Sequence, residues 1–367
     1  MFFRYFVFFV IVLFILLYKM LNNLKQTIMK NLFKIYALIA LFFALPSCNS
    51  DDPAVVQPTP TKPTIAAIAA ANPDFTTLVT ALNRTGLTTT LNGSGTFTVF
   101  APTNAAFDAF FLTLGTNVNV NNVDLATLKN VLLNHVLGTE VFKTAIPAAA
   151  YVSTLSPINA TPTSPTISMF VQNTTDGVFI NGGTATMGVK VTTADVDASN
   201  GVVHIINNVI AIPTIVAHVV ANPAFDTLQA VVTSTATTGA FGDQSAVLNA
   251  LNGLTAASPG TLFAPNSTAL ATATASGGFA FNATAAQVTK VLQYHVTLGN
   301  VRSSQLANNQ SVSMITNPAQ STTVILGTGG TVDIKDSANN LSRVFQADIQ
   351  CSNGVIHGLN RVLQPTL

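Results

Sequence analysis

SNGVVHIINNVIAIP at Ser199 to Pro213 returns as SNGVIHGLNRVLQP at Ser352 to Pro365, a shift of 153 residues. Each copy opens on Asn-Gly, a pair suited to a tight turn with positive φ, and continues into β-branched and aliphatic residues of strand type. Working outward, ANPDFTTL at Ala71 to Leu78 returns as ANPAFDTL at Ala221 to Leu228. GTFTVFAPTNAAF at Gly95 to Phe107 returns as GTLFAPNSTAL at Gly260 to Leu270, and VLLNHV at Val131 to Val136 as VLQYHV at Val291 to Val296. Four blocks repeat in the same order, with shifts that differ only by loop-sized amounts. They predict two homologous domains, residues 64–213 and 214–367, each of about 150 residues and large enough for its own core.

Within each unit, helical patterns precede strand patterns. Phe75, Leu78, Val79 and Leu82 follow the i, i+3, i+4, i+7 spacing of an amphipathic helix, with Pro73 near its first turn. Thr96 to Ala101 alternates like a strand, and Pro102-Thr103 supplies a turn and an N-cap for a helix through Phe111. Asp124 caps a further helix in which Leu125, Leu128, Val131, Leu132 and His135 share one face. From Glu140 to Ile212 short β-branched runs alternate with Gly and Asn turns. Helices collected at one end of a mainly antiparallel sheet system make each domain α+β.

The N-terminus carries two apolar runs, Phe2 to Tyr18 and Ile35 to Leu45. The second, preceded by Lys30 and Lys34 and followed by Leu45-Pro46-Ser47-Cys48, has the layout of a lipoprotein signal over residues 29–47, with Cys48 as the lipidated residue. Residues 1–28 are an upstream apolar extension or a transmembrane helix, since the run is about long enough to span a bilayer. DDPAVVQPTPTKP at Asp51 to Pro63 makes residues 48–63 a Pro-rich tether. Together these place the protein outside the cytoplasm, as an outer-membrane lipoprotein at the cell surface.

Five of the 15 basic residues precede Cys48 and all 14 acidic ones follow it, so the mature chain is net negative. That excludes a basic nucleic-acid surface. The two cysteines form no disulfide framework once Cys48 carries lipid, and Cys351 reads as a small buried hydrophobe. No Gly-x-Ser-x-Gly elbow occurs, no His pairs with another His or a Cys at zinc-ligand spacing, and no Gly-rich phosphate cradle follows a strand. Asp195-Val196-Asp197 reads as a solvated strand end rather than half of a calcium loop. Neither a catalytic residue, a metal nor a cofactor is expected.

These blocks resemble the fasciclin family. TVFAPTNAAF at Thr98 to Phe107 is similar to its first signature box, NGVVHIINNVIAIP and NGVIHGLNRVLQP to its second, and the segments carrying His135 and His295 to its tyrosine-histidine position. Asn134 stands where that tyrosine is expected in the first domain, and Asn266-Ser267 stand where the first domain has Thr103-Asn104. The resemblance implies a wedge-like β-sandwich with attached helices and a role in adhesion or matrix contact, without catalysis. It also implies an adhesion segment at Tyr294 and His295.

His135, Asn200, Gly201, His204, Asn353, Gly354 and His357 are expected to be structural, each imidazole satisfied by backbone. Thr227 and Ser337, in Asp-Thr-Leu and Asp-Ser-Ala, fit a loose O-glycosylation pattern. The expected function is a monomeric adhesion or binding protein whose partners are extracellular proteins or glycans. The alternative is a small-molecule or pigment carrier that uses a cleft within or between the domains.

Overall fold

The computed structural model describes residues 62–159, 161, 164–182, 188–236, 241–275 and 284–367. The apolar leader, Cys48 and the tether up to Thr61 lie outside the described residues. The first domain begins with α1 (Ile65–Ala71), α2 (Thr76–Thr85) and α3 (Leu87–Asn92), followed by β1 (Phe97–Pro102), α4 (Asn104–Leu114) and α5 (Leu125–Asn134). Then come β2 (Val136–Leu137), β3 (Ala150–Pro157), β4 (Thr166–Thr174), β5 (Gly177–Ile180), β6 (Val189–Ala198) and β7 (Gly201–Ile206). The second domain repeats the order with α6 (Ile215–Ala221), α7 (Asp226–Val232), α8 (Ser245–Asn252), β8 (Gly260–Pro265), α9 (Ser267–Ala275) and α10 (Ala285–Gln293). It ends with β9 (Val296–Leu298), β10 (Ser311–Ser313), β11 (Ser321–Leu326), β12 (Val332–Lys335), β13 (Leu341–Cys351) and β14 (Gly354–Leu359).

Each domain builds one seven-stranded sheet, ordered β2-β1-β7-β6-β5-β4-β3 in the first and β9-β8-β14-β13-β12-β11-β10 in the second. All neighbours are antiparallel except the central pair. There β7 lies parallel to β1 from Phe97↔Gly201 to Pro102↔Ile206, and β14 parallel to β8 from Gly260↔Gly354 to Pro265↔Leu359. The sheet curls so that β3 returns beside β2 and α5.

This curl gives each domain two cores. Val99, Ala101 and Val203 face Phe75, Leu78, Phe107 and Leu128 of the helices, whereas Phe100 and Ile206 face Met169, Val178 and Ile180 inside the curled sheet. Both faces of this parallel pair are therefore covered, so β1 is buried on both sides and not half-exposed as the alternation over Thr96 to Ala101 suggests. The same partition holds in the second domain, with Leu262 and Ile356 on the helix side and Phe263 and Leu359 inside the sheet.

Caps follow the expected chemistry. Thr103 Oγ1 accepts from Ala106 N at 3.3 Å and Asp124 Oδ2 from Thr127 N at 2.8 Å. Two expectations need correction. His135 stands at the C-cap of α5 and not on its helical face, and His295 lies one residue beyond the C-cap Tyr294 of α10. Asp195 is not a strand end, because it sits within β6 at φ 61, in a register shift against β7. A bulge there adds a residue and turns Asp195 out of the ladder.

The two domains meet through side chains. Tyr151 packs on Phe170, with ring centroids 4.9 Å apart, and edge-on against His218 of α6 at 5.2 Å. His218 Nε2 donates to Ser168 O at 3.0 Å, and Gln350 N donates to Ser168 Oγ at 2.9 Å. Ser168 from β4 and Tyr151 from β3 are thus seated on α6 and β13 of the following domain.

Candidate functional site

The duplicated signature residues form one hydrogen-bonded frame, present twice. Asn200 Oδ1 accepts from Ile65 N at 2.9 Å while its Nδ2 donates to Leu91 O and Gly93 O. Asn353 Oδ1 accepts from Ile215 N at 2.8 Å and its Nδ2 donates to Leu251 O at 3.2 Å. Each domain's closing turn is thereby pinned to its first helix and to the loop before its central strand. Gly201 and Gly354 follow at φ 140 and 151, and a Cβ on either would lie 1.9 Å from the backbone oxygen of Phe97 or Gly260.

The histidines are fixed with equal regularity. His204 Nδ1 accepts from Asp195 N at 3.2 Å and its Nε2 donates to Val141 O at 2.9 Å. His357 repeats this with Asp348 N at 3.3 Å and Val301 O at 2.8 Å. His204 and His357 also stack on Phe100 and Phe263, with centroids 5.4 and 5.6 Å apart. At the other pair the roles of the two nitrogens are reversed. His135 Nδ1 donates to Val131 O and its Nε2 accepts from Ile210 N, and His295 does the same with Val291 O and Leu363 N. Backbone N–H can only donate and C=O only accept, so these partners dictate the tautomer of each ring.

Burial pushes His135, His218 and His295 down to about 4 and also lowers His204 and His357. These imidazoles are neutral at pH 7 and spend their hydrogen bonds on backbone. Among the described residues, no three His, Cys, Asp or Glu side chains come together to hold a metal ion. Cys351 is fully buried, and burial raises its thiol well above the ordinary range, opposite to what a nucleophile needs.

Tyr294 and His295 both face the interior. Tyr294 lies in the sheet core and donates to Ser321 O at 2.8 Å, with Ser337 Oγ 2.9 Å from its hydroxyl. Asn134, in the matching place, donates instead to Ile210 O at 3.2 Å. Of the two hydroxyls in the glycosylation pattern, Ser337 is exposed on a turn and Thr227 is half-buried in the first turn of α7.

Sequence reading missed the aspartates that complete the frame. Asp195 Oδ1 accepts from Lys143 N at 2.7 Å, and Asp348 Oδ1 from Ser303 N at 2.8 Å. Both sit at positive φ, nine residues before the histidine they serve. Ala194-Asp195 and Ala347-Asp348 share the 153-residue shift, so extending the repeat upstream finds them.

Among the described residues, each domain carries a groove at the same place. It lies between the helix after the central strand and the segment leaving the closing strand. The first has a volume of about 480 Å³ and includes Phe110, Val189 and Ile212 in its lining. The second has about 640 Å³ and includes Thr272, Asn340, Arg361 and Gln364.

The fasciclin domain profile matches residues 73–213 and 227–365. Protein sll1483 of Synechocystis is 36% identical over 154 residues, which make up 41% of this chain and 74% of that protein. A second Synechocystis protein, sll1735, is 32% identical over 148 residues, 40% of this chain and 97% of its own length. The transforming growth factor-beta-induced protein ig-h3 of Sus scrofa is 33% identical over 155 residues, 42% of this chain and 20% of the larger protein. Among solved structures, a FAS1 domain pair from the insect cell adhesion molecule Fasciclin I overlays with a TM-score of 0.46 at 17% identity, covering 78% of this chain and 95% of that one. The chain belongs to the fasciclin domain family and carries two tandem copies of that domain.

Proposed function

We propose that the protein is a surface-anchored adhesion or binding protein, tethered by lipid on Cys48 and contacting extracellular proteins or glycans through its paired domains. Fasciclin domains occur in cell adhesion proteins and in extracellular or secreted ones. The observation that carries the reading is the fate of the polar signature. Asn200, His204 and Asp195, like their counterparts Asn353, His357 and Asp348, are spent on backbone and line neither groove, and each domain offers a groove outward among the described residues. A frame fixed in this way presents a pre-organised surface at little entropic cost on binding.

The test uses cells carrying the chain from Met29. They are expected to retain it in the membrane and to bind a subset of a glycan and matrix-protein array. The Cys48→Ala variant is expected to shed it into the medium with array binding intact. Membrane retention of that variant would refute the anchor, and an array blank for both forms would refute the binding role. As a second reading, the apolar lining of the first groove favours carriage of a small apolar molecule, which a ligand co-purifying with the chain would reveal.

A further inference from the structure

The two grooves are the same site in two copies, and their linings have diverged in one direction. The equivalence rests on hydrogen bonds as well as on sequence. Ile210 N and Leu363 N serve His135 and His295, and the Asn207 and Asn360 side chains accept from Lys190 N and Arg343 N. Those contacts place Asn208 opposite Arg361 and Ala211 opposite Gln364 in the matched frame. On the helix, the FAP triplets place Ala109 opposite Thr272 and Phe110 opposite Ala273. Four of these eight residues lie on α4 and α9 and four on the segments leaving β7 and β14, and every one of the eight lines its groove.

At each of the four positions the second copy moves the same way. Where the first has the Phe110 ring the second has a methyl, and its groove is wider, about 640 against 480 Å³. Where the first has Ala109 and Ala211 the second has a hydroxyl and an amide. Where the first has Asn208 the second has a guanidinium. Pro213 and Ala217, from the segment leading into the second domain, also line the first groove.

Arg361 is held in place by a chain of groups that ends in a buried carboxylate. Its Nη2 donates to Asn340 Oδ1 at 3.0 Å, and Asn340 Nδ2 donates to Asp336 at 3.2 and 3.3 Å. Asp336 is only 4% exposed and also accepts from Ala338 N, Asn340 N and Gln364 N, the last of these from the groove's own wall. Its charge is met by those N–H groups, so the guanidinium is oriented through Asn340 without being neutralised by direct pairing. Only one of Arg361's five N–H donors is used in this contact.

We propose that the second-domain groove binds saccharides bearing carboxylate groups, with Arg361 holding the carboxylate in the forked geometry that guanidinium favours. This deepens the binding role proposed above and rests on it. The Gln364 amide, which both donates and accepts, suits sugar hydroxyls, and the half-exposed Leu341 with Ala273 suits the C–H faces of a sugar ring. An acidic peptide is the weaker fit, because extended peptides bind by pairing with a sheet edge, and the edge strands β9 and β10 do not line this groove.

Calorimetric titration of the full chain at low ionic strength, where charge is least screened, tests the site with three probes: a galacturonic acid tetramer, a neutral galactose tetramer and a tetraglutamate peptide. The acidic saccharide is expected to bind roughly tenfold or more tightly than either of the others. Arg361→Gln should reduce it to the level of the neutral sugar, and Ala273→Phe should abolish binding by filling the groove. Both variants are to be checked for an unchanged unfolding transition. Equal binding of tetraglutamate, or affinity indifferent to both substitutions, would overturn the assignment. No binding of the acidic tetramer alongside a positive matrix array would remove this site and leave the broader binding role standing.

Discussion

Lowering the pH from 7 to 4.5 is expected to strip the folded protein of most of its stability, and the second domain is expected to fail first. An imidazole ordinarily titrates near 6.5 in an unfolded chain. In the fold, burial holds His135, His218 and His295 at about 4. The unfolded chain therefore takes up protons first. The stability these rings contribute is complete above about pH 6.5 and is lost as the pH falls toward about 4. At about 1.4 kcal/mol per pH unit, each of the three contributes about 3 kcal/mol across that window. That is large beside the 5–15 kcal/mol typical of a whole domain.

The first domain holds one of these strongly shifted rings and the second holds two, with His218 also at the contact between domains. Asp124 and Asp243 are held below the ordinary carboxylate range by hydrogen bonds from Thr127 and Ser245, so their own loss falls at lower pH, outside this window. Urea unfolding followed at a series of pH values checks the prediction. A midpoint that stays flat between pH 7 and 4.5 would refute it.

Gly354→Ala is expected to prevent the second domain from folding, and Gly201→Ala the first. Two effects combine at each position. A φ of 151 or 140 is strained for any residue with a Cβ, at about 1–3 kcal/mol. The added carbon would also stand 1.9 Å from the oxygen of Gly260 or Phe97 on the parallel neighbour. That neighbour is backbone in the middle of a sheet, so nothing short of parting β14 from β8, or β7 from β1, relieves the overlap. Together they exceed about 5 kcal/mol, in the range reserved for disrupted cores.

Gly329→Ala provides the comparison. Its φ is 73 but nothing lies within 4 Å of the new carbon, so a loss of only about 1 kcal/mol is expected. Soluble expression and thermal unfolding of the three variants decide the matter. Comparable losses at Gly329 and Gly354 would show that the close approach of the strands carries no weight.

The departures between the two copies also make physical sense. Asn266 replaces Thr103 as the cap, accepting from Ala269 N at 2.7 Å. Ser267 replaces Asn104 and still accepts from the first turn of the neighbouring helix, at Thr227 N, as Asn104 does at Thr77 N. Different side chains of the same hydrogen-bonding capacity keep one architecture.

The domain repeat, the Asn-Gly turns and the helix caps were legible because each depends on neighbours in sequence or on identity between copies. The parallel pairing of Phe97 with Gly201 was not, since it joins residues about a hundred positions apart through backbone alone. Nor was the place of Asp195, which reads as a solvated strand end until the bulge in β6 rotates it toward His204. The second groove escaped because it joins residues of α9, the turn after β12 and the exit from β14, and the repeated block that holds the last of these does not say which of its side chains share a groove with the other two.

Each of the five imidazoles serves as a fixed strut. Nitrogen-15 NMR of the five rings across a pH titration tests that most directly, because the ring nitrogens report tautomer and charge together. His135 and His295 should carry their proton on Nδ1, and His204, His218 and His357 on Nε2. His135, His218 and His295 should not titrate in the folded protein above about pH 5, His204 and His357 should titrate below the ordinary imidazole value, and added zinc should shift no signal. Rings that exchange tautomers, titrate near 6.5 or respond to zinc would contradict it.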